Sequence, residues 1–409
     1  MKNCIVAQSG GPTVAINASL AGVISGVMNS SEYDIVYGSL NGITGILNNR
    51  TLNLSEIFAE GKPMLDRLIT TPAMYLGSCR YKLPTADADP AVYENIFRFF
   101  EEKEIAAFFY IGGNDSMDTV DKLSAYAEQI GSPVRIIGIP KTIDNDLCLT
   151  DHTPGFGSAA KYVASTFLEI AHDTYIYKIK SVTIVEVMGR DAGWLTAASA
   201  LARNEYNAAP HLIYLPEYAF DLTQFLADVK DLLTKQDNII VAVSEGIRDK
   251  DGKYISASST AVDTFGHSQL SGAGKTLEYF LKEKLDVKVR SVELNVLQRC
   301  AAHIASKTDL EESFKLGETA VGLAAAGQTS VMLTMNRTSN NPYTIEYSSS
   351  PVCDIANKAK EVPRSFINEQ GNDVTEDMID YLRPLIQGEL CISYENGLPC
   401  YLPIKHLLG

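Results

Sequence analysis

The strand-like run Ala106-Ala107-Phe108-Phe109-Tyr110-Ile111 is followed directly by Gly112-Gly113-Asn114-Asp115-Ser116. A second run, Arg135 to Ile139, is followed in the same way by Pro140-Lys141-Thr142-Ile143-Asp144-Asn145-Asp146. Each run has the length and apolar composition of a buried strand, so each places its polar residues at a strand's carboxyl end. Open α/β sheets bind their ligands at that edge. The two stretches therefore predict a parallel α/β sheet with a functional site at its carboxyl edge.

The same pattern of an apolar run, a glycine corner and an amphipathic stretch recurs along the chain. Further runs of this kind are Cys4 to Ala7, Ser181 to Val187 and Asn238 to Val243. Two helix start signals, Ser158 and Asp221, precede periodic apolar residues. Strands that alternate with helices indicate βαβ units and a parallel-rich sheet.

A chain of 409 residues is longer than one ordinary hydrophobic core requires, which favours two domains. The break in the pattern at residues 150–155 predicts a boundary near residue 150. The stretch from Asn336 to Pro351 is rich in Ser, Asn and Thr, and we expect it to be a crossover or a surface excursion. A cleft between two α/β domains would bring the polar strand ends together.

The composition limits the classes of protein to which the chain can belong. With 45% hydrophobic and 21% charged residues it is typical of a soluble globular protein, and a net charge of −15 argues against a nucleic-acid partner. No apolar run is long enough to span a membrane, and we expect no membrane association. The seven cysteines are scattered and no signal peptide precedes the first strand, so we expect a cytoplasmic protein.

Phosphoryl transfer is the chemistry that the two opening stretches suggest. Transfer to a hydroxyl requires a base for the proton, cations, a metal ion and backbone amides around the phosphates. Asp144 is the candidate base, and Asp146 follows two residues later. Asp-Asn-Asp is also ordinary turn chemistry, but its position after Pro140-Lys141 at a strand end favours catalysis.

Other strand ends carry groups that suit a phosphorylated ligand. Gly10-Gly11 opens a strand-to-helix corner, where free amides and the helix dipole attract anions. Each of the remaining charged residues would alone be an ordinary surface ion pair, but these five share a placement at strand ends or corners: Arg80, Arg190, Glu245, Arg290 and Arg299.

A stretch that resembles a P-loop, Gly272 to Thr276, is set aside. The first glycine of that motif would have to stand at position 269, which is Gln269.

At this point the chain resembles the phosphofructokinases, and most closely their pyrophosphate-dependent branch. The likeness rests on three segments in combination: Pro140 to Asp146, Met188-Gly189-Arg190 and Gln298-Arg299. It implies two doubly wound, Rossmann-like α/β domains with parallel-rich sheets and the active site in the cleft between them. Residues 1–150, with about 298–350, would bind the donor phosphates, and residues 151–297, with about 351–409, the sugar phosphate.

The resemblance also implies roles for individual residues. Asp144 matches the family's general base, and Lys141, Arg190 and Asp115 complete the catalytic group. The donor phosphates would be bound by Gly11, Arg80, Gly113, Asp115 and Lys141. Fructose 6-phosphate would be bound by Thr142, Asp144, Met188, Gly189, Arg190, Glu245, Arg299 and, across a subunit contact, Arg290. That last contact implies a homo-oligomer, a dimer or a tetramer.

The choice of donor follows from charge. ATP-using relatives usually have glycine at the positions of Asp115 and Lys141, which leaves room for the nucleotide's α-phosphate. Two unit charges about 5 Å apart at an effective dielectric near 20 repel by roughly 3 kcal/mol, or about a hundredfold in affinity. Asp115 therefore disfavours ATP, and Lys141 suits a smaller inorganic donor.

Some positions depart from the family pattern. Asn114 stands where many members have a magnesium-binding acid. We therefore expect Mg²⁺ to be bound by Asn114, Asp146 and oxygen atoms of the donor. Ala21 and Ser25 replace two effector-binding arginines of allosteric relatives, and we expect no control by ADP at that site.

The sequence thus predicts a magnesium-requiring phosphotransferase that moves a phosphoryl group reversibly between pyrophosphate and the 1-hydroxyl of fructose 6-phosphate. Two alternatives stay open. The first is an ATP-dependent 6-phosphofructokinase whose Asp115 points away from the donor. The second is a non-catalytic regulatory or phosphosugar-binding subunit of the same fold.

Overall fold

Strands and helices alternate through most of the chain, as the sequence predicts. The computed structural model describes residues 2–256 and 272–408; Gln269 lies outside them. The strands are β1 (Asn3–Gln8), β2 (Val36–Ser39), β3 (Thr51–Asn53), β4 (Ile105–Gly112), β5 (Arg135–Pro140), β6 (Ser181–Val187), β7 (Leu212–Tyr214), β8 (Asn238–Ser244), β9 (Lys288–Glu293), β10 (Val331–Asn340), β11 (Tyr343–Pro351), β12 (Tyr394–Glu395) and β13 (Leu398–Pro399). The helices are α1 (Ile16–Met28), α2 (Ile43–Leu47), α3 (Leu54–Ile57), α4 (Lys62–Thr70), α5 (Pro90–Glu102), α6 (Asn114–Gln129), α7 (Phe156–Tyr175), α8 (Trp194–Ala198), α9 (Leu222–Lys235), α10 (Ala273–Lys284), α11 (Lys307–Ala325) and α12 (Glu376–Leu382).

The larger sheet has the strand order β11-β10-β5-β4-β1-β2-β3. Strands β10, β5, β4, β1 and β2 run parallel, and β11 and β3 close the edges antiparallel. Alternate side chains of the buried strands face opposite ways, so helices cover both faces. Val6 and Ile137 pack on the side of α1 and α11, whereas Phe108 and Ile136 pack on the side of α5 and α6.

The smaller sheet is entirely parallel, in the order β7-β8-β6-β9. Its two faces are again apolar: Val185 and Ala242 face α7, α8 and α12, and Val182 and Val241 face α9 and α10. Two helix-covered, parallel-rich sheets confirm the predicted doubly wound fold. None of the described helices is long and apolar enough to cross a membrane.

Two local predictions differ from the structure. Helix α7 begins at Phe156 with Gly155 as its cap, so Ser158 lies inside the first turn and does not start the helix. Asp221 does cap α9, because its carboxylate accepts the N–H groups of Thr223 and Gln224. The acceptor of the first turn of α7 is instead Asp309, which binds the N–H groups of Gly155 and Ser158.

Residues 336–351 lie at the surface, as expected, but they form regular strands that the sequence analysis did not predict. Most of this stretch forms the hairpin of β10 and β11, and β10 pairs with β5 through Val331 and Met332. Ser, Asn and Thr alternate with larger side chains on an edge hairpin that is partly exposed, and this polar composition concealed the strands. The hairpin belongs to the larger sheet. The domain boundaries given above remain a prediction.

Candidate active site

A cavity of about 770 Å³ opens at the carboxyl edges of the strands. In the larger sheet the order reverses between β1 and β4, and such a switch point is where open α/β sheets form a crevice. Eight of the predicted site residues line the cavity: Gly11, Arg80, Asn114, Asp115, Asp144, Asp146, Arg190 and Arg299.

The corner after β1 and the end of β5 are joined by a lysine. The buried ammonium of Lys141 donates to the carbonyl oxygen of Gly11 at 2.7 Å. Gly10 has φ +81°, and a Cβ added there would lie 3.0 Å from that ammonium. A side chain at Gly10 would thus be strained and would also press on Lys141. The glycine corner therefore leaves room for a cation directly behind the backbone amides.

The neighbouring corner begins α6. Gly113 caps this helix, and Asn114 and Asp115 of its first turn line the cavity. Asp115 lies in this first turn and is exposed to solvent. Asn114 contacts a later segment of the chain: its amide nitrogen donates to the carbonyl oxygen of Lys358 at 2.7 Å, and its amide oxygen accepts the N–H of Asn357 at 2.6 Å.

The loop after β5 carries the two central carboxylates. The hydroxyl of Thr142 accepts the N–H of Asp144 at 3.1 Å, which turns the chain sharply at this point. Asn145, between the two aspartates, is buried and has φ +55°. Asp144 and Asp146 both reach the cavity.

Burial gives this loop unusual acid–base properties. Desolvation and the neighbouring Asp146 carboxylate raise the pKa of Asp144 to about 7, although Arg190 and Lys141 oppose the shift. Burial likewise lowers the pKa of Lys141 to about 8. A carboxyl group that titrates near neutral pH is suited to accept and return a proton.

Asp146 fits the requirement for a cation ligand. Its Oδ1 is buried and has no hydrogen-bond partner, and burial raises the pKa of its carboxyl group. Within residues 2–256 and 272–408, no group of three or more His, Cys, Asp or Glu side chains is placed to hold a metal ion. Mg²⁺ commonly binds to one or two carboxylates and completes its shell with water and substrate phosphates. One lone pair of the Asn114 amide oxygen is already used by Asn357.

The corners of the smaller sheet supply the opposite wall. After β6, the N–H of Gly189 donates to the carboxylate of Glu245 at 3.2 Å, and Gly189 has φ +128°. The N–H of Met188 donates to the side chain of Gln298 at 3.4 Å. Burial raises the pKa of Glu245 to about 7. Arg190 follows and lies against the adjacent Asp191.

Arg290 is not brought to the cavity within this chain. It lies on β9, where its guanidinium binds the hydroxyls of Thr183 and Thr174 at 3.1 and 3.0 Å and the carboxylate of Asp173 at 3.0 Å. The side chain of Arg290 is 39% exposed. The remaining predicted site residues are also absent from the cavity lining: Gly113, Lys141, Thr142, Met188, Gly189 and Glu245.

Sequence reasoning missed several residues of the cavity. Asp191, Tyr81 and Tyr110 line it, and so do Asn357 and Ala359. Asp191 stands beside a motif that was recognised, so its position was a usable signal. Asn357 and Ala359 lie more than 160 residues after that motif in a stretch without regular structure, and no local pattern marks them.

Known proteins are similar to this chain in sequence and in structure. The chain is 42% identical over 400 residues to the pyrophosphate–fructose 6-phosphate 1-phosphotransferase of Halomonas elongata, covering 97% of this chain and 94% of that protein. It is 41% identical over 408 residues to the protein of the same name from Xanthomonas campestris, with coverages of 99% and 96%. The crystal structure of the pyrophosphate-dependent phosphofructokinase from Nitrosospira multiformis superimposes with a TM-score of 0.88 at 38% identity, covering 98% of this chain and 96% of that one. The phosphofructokinase family model matches residues 3–324, and this chain belongs to that family.

Proposed function

We propose that this protein transfers a phosphoryl group reversibly from pyrophosphate to the 1-hydroxyl of fructose 6-phosphate. The products are fructose 1,6-bisphosphate and phosphate. The observation that carries the proposal is one cavity lined by Asp144, Asp146 and Asp115, with the buried ammonium of Lys141 bound behind its Gly11 corner. Relatives at about 40% identity over nearly the whole chain carry this enzyme name, which supports pyrophosphate over ATP as the donor.

Asp144 acts as the general base. The sugar's 1-oxygen attacks one phosphorus of pyrophosphate while its proton passes to the Asp144 carboxylate. The bridging P–O bond breaks, and the second phosphate leaves with the bonding pair. Because the pKa of Asp144 lies near 7, the same group returns the proton in the reverse direction.

The donor phosphates bind at the corners of the larger sheet. The amides of Gly11 and Gly113, with Arg80, provide hydrogen-bond donors, and Lys141 offsets the charge that develops on the transferred group. Asp115 places negative charge where a nucleotide would bring its α-phosphate, and the repulsion favours a donor without one.

The sugar phosphate binds at the corners of the smaller sheet. Its contacts come from Thr142, Met188, Gly189, Arg190, Glu245 and Arg299. Arg290 serves a neighbouring subunit, which makes the working enzyme a homo-oligomer, a dimer or a tetramer. The exposed apolar side chains near Arg290, Ile176 and Tyr177, support a subunit contact on this face.

A bound Mg²⁺ would neutralise the donor's charge and polarise its phosphorus. Asp146 would hold it, together with phosphate oxygens and with the Asn114 amide as a weaker ligand. The unpartnered buried Oδ1 of Asp146 supports this assignment.

We also propose that the enzyme works in the cytoplasm and lacks ADP control at α1. All seven cysteines are unpaired, which suits a reducing compartment. Ala21 is buried in the helix interface and Ser25 hydrogen-bonds Glu318, so neither position offers a phosphate-binding cation.

The donor assignment is tested with purified protein and each donor in turn. We expect turnover of fructose 6-phosphate with pyrophosphate and Mg²⁺, and at most trace turnover with ATP. Robust turnover with ATP and none with pyrophosphate would establish the ATP-dependent alternative. Inactivity with both donors, while fructose 6-phosphate still binds, would indicate a non-catalytic subunit.

A further inference from the structure

A short segment near the carboxyl end crosses the whole active-site region. We call residues 357–362 the strap. Asn357 and Ala359 line the cavity. At its first end the strap is bound to the start of α6, because both amide atoms of Asn114 contact the backbone at Asn357 and Lys358. Asn357 also donates from its own side chain to Asp118 of α6 at 2.9 Å.

The other end of the strap is bound to the smaller sheet's side. The indole N–H of Trp194 donates to the carbonyl oxygen of Lys360 at 3.1 Å. The N–H of Val362 donates to the carboxylate of Glu217 at 3.0 Å, and the same oxygen accepts the N–H of Gly193 at 2.8 Å. The strap therefore connects the donor corner with the corner that follows Arg190.

Between these ends the strap contacts the loop that carries the carboxylates. Ala359 and Leu147 form an isolated antiparallel bridge, and the N–H of Lys360 donates to the carbonyl oxygen of Asp146 at 2.8 Å. The Lys360 ammonium donates to Oδ1 of Asn145 at 3.2 Å. It also binds the carbonyl oxygens of Thr150 and Asp151, at 3.1 and 2.8 Å.

Asn145 connects Lys360 with the two carboxylates of the loop. It is buried with φ +55°, a left-handed conformation that asparagine adopts more readily than other non-glycine residues. Lys360 binds its amide oxygen, and its amide nitrogen donates to the hydroxyl of Tyr381 at 2.9 Å. Because Asn145 separates Asp144 from Asp146, its conformation sets the directions of both carboxylates.

We propose that Lys360 is a positioning residue for phosphoryl transfer: through Asn145 and the Asp146 backbone, it fixes the loop that presents Asp144 and Asp146 to the cavity. This inference rests on the proposed function. Lys360 touches no reacting atom in this role. Its contacts are with the side chain of Asn145 and with backbone atoms of the loop.

The charged groups around Lys360 come from several elements. Asp146 and Cys148 belong to the loop after β5, Asp151 follows it, and Arg337 comes from β10. Burial lowers the pKa of Lys360 to about 8, although Asp151 and Asp146 oppose the shift. Among these groups, Asp146 is the one coupled to the general base.

The test compares Lys360→Met with Lys358→Met, which removes the other lysine of the strap. Lys358 is exposed and contacts Asn114 through its backbone only. We expect Lys360→Met to lower kcat about tenfold to a hundredfold while KM for both substrates changes less than about threefold, because small misplacements of reacting groups cost this much. Lys358→Met should match the parent in both respects.

A second variant keeps the test independent of folding. Asn145→Gly tolerates the same φ but removes the side chain that Lys360 binds, so it should lower kcat comparably even if Lys360→Met fails to fold. The double variant should then be little worse than either single one. A kcat of Lys360→Met within twofold of the parent, a loss that falls on KM and not on kcat, or additive losses in the double variant would overturn the proposal. Parent activity with pyrophosphate is measured first; if only ATP supports turnover, the donor proposal fails while the same comparison, run with ATP, still decides the role of Lys360.

Discussion

Two adjacent strands of the larger sheet end in corners that treat their carboxylates differently. The corner after β4 places Asp115 in the exposed first turn of a helix, whereas the loop after β5 leaves Asp144 and Asp146 half-buried at the cavity. Water solvates the first carboxylate, and burial raises the pKa of the other two. In the proposed function, the same residue type therefore repels a nucleotide donor at one strand end and accepts a proton at the next.

The support behind the two corners differs in the same sense. The α6 corner depends on a helix N-terminus and one asparagine, and the backbone of the strap completes it. The loop after β5 is held by Thr142, by Lys360 and by Tyr381 acting through Asn145. A group that transfers a proton must be placed accurately, whereas a charge that repels acts over several ångströms.

The largest expected effect is found when the same substitution, aspartate to asparagine, is made at each corner and the two variants are compared. Asp144→Asn should lower kcat with pyrophosphate about 10³-fold, because general-base catalysis typically contributes 10²- to 10⁴-fold. Asp115→Asn should lower it less than about tenfold. The variants are compared by their steady-state rates at saturating substrate, and circular dichroism verifies that they fold. Equal losses in the two variants would remove the distinction between the corners.

A smaller effect concerns the donor. Replacing both Asp115 and Lys141 with glycine should strengthen ATP binding about a hundredfold, since the repulsion of the α-phosphate disappears. Asp115→Asn alone removes the charge without creating space, and it should recover most of that gain. Isothermal titration with a non-hydrolysable ATP analogue measures both affinities. If ATP affinity does not change in the double variant, charge at residue 115 does not select the donor.

The smallest expected effect is on the pH dependence of the reaction, which reports on the groups of the loop after β5. The rate constant kcat/KM should rise through about pH 7, because Asp144 must lose its proton to act as a base, and fall through about pH 8, because Lys141 must keep its proton. Lys141→Arg should lose the alkaline limb, since a guanidinium stays charged.

Glu245 provides the control for the acidic limb, because its pKa also lies at about 7. Glu245→Gln should keep the limb if Asp144 causes it. The pKa values of Lys141 and Lys360 are both lowered to about 8. Measuring Lys141→Arg also in the Lys360→Met background therefore shows which of the two lysines causes the alkaline limb. Loss of the acidic limb in Glu245→Gln would assign it to that residue.

Much of the fold followed from local sequence. The strands β1, β4, β5, β6 and β8 lie where the apolar runs predicted them, because buried parallel strands leave a continuous apolar signal. The hairpin of β10 and β11 escaped prediction, since its polar residues pair with each other, and only Val331 and Met332 join it to β5, more than 190 residues earlier in the chain. The start of α7 escaped for a similar reason: Asp309, from a distant helix, satisfies its first turn.

The sequence by itself determined which residue types stand at the ends of the strands, and hence the phosphate-binding corners, the candidate base and the family. Those signals are local, because a glycine corner and the strand before it are consecutive in the chain. Only the tertiary structure decided that Lys141 lies behind Gly11, that Arg290 lies away from the cavity, and that Lys360 supports Asn145. These contacts join residues 107 to 215 positions apart in the chain, and burial between packed elements, which no local pattern records, also sets the pKa of Asp144.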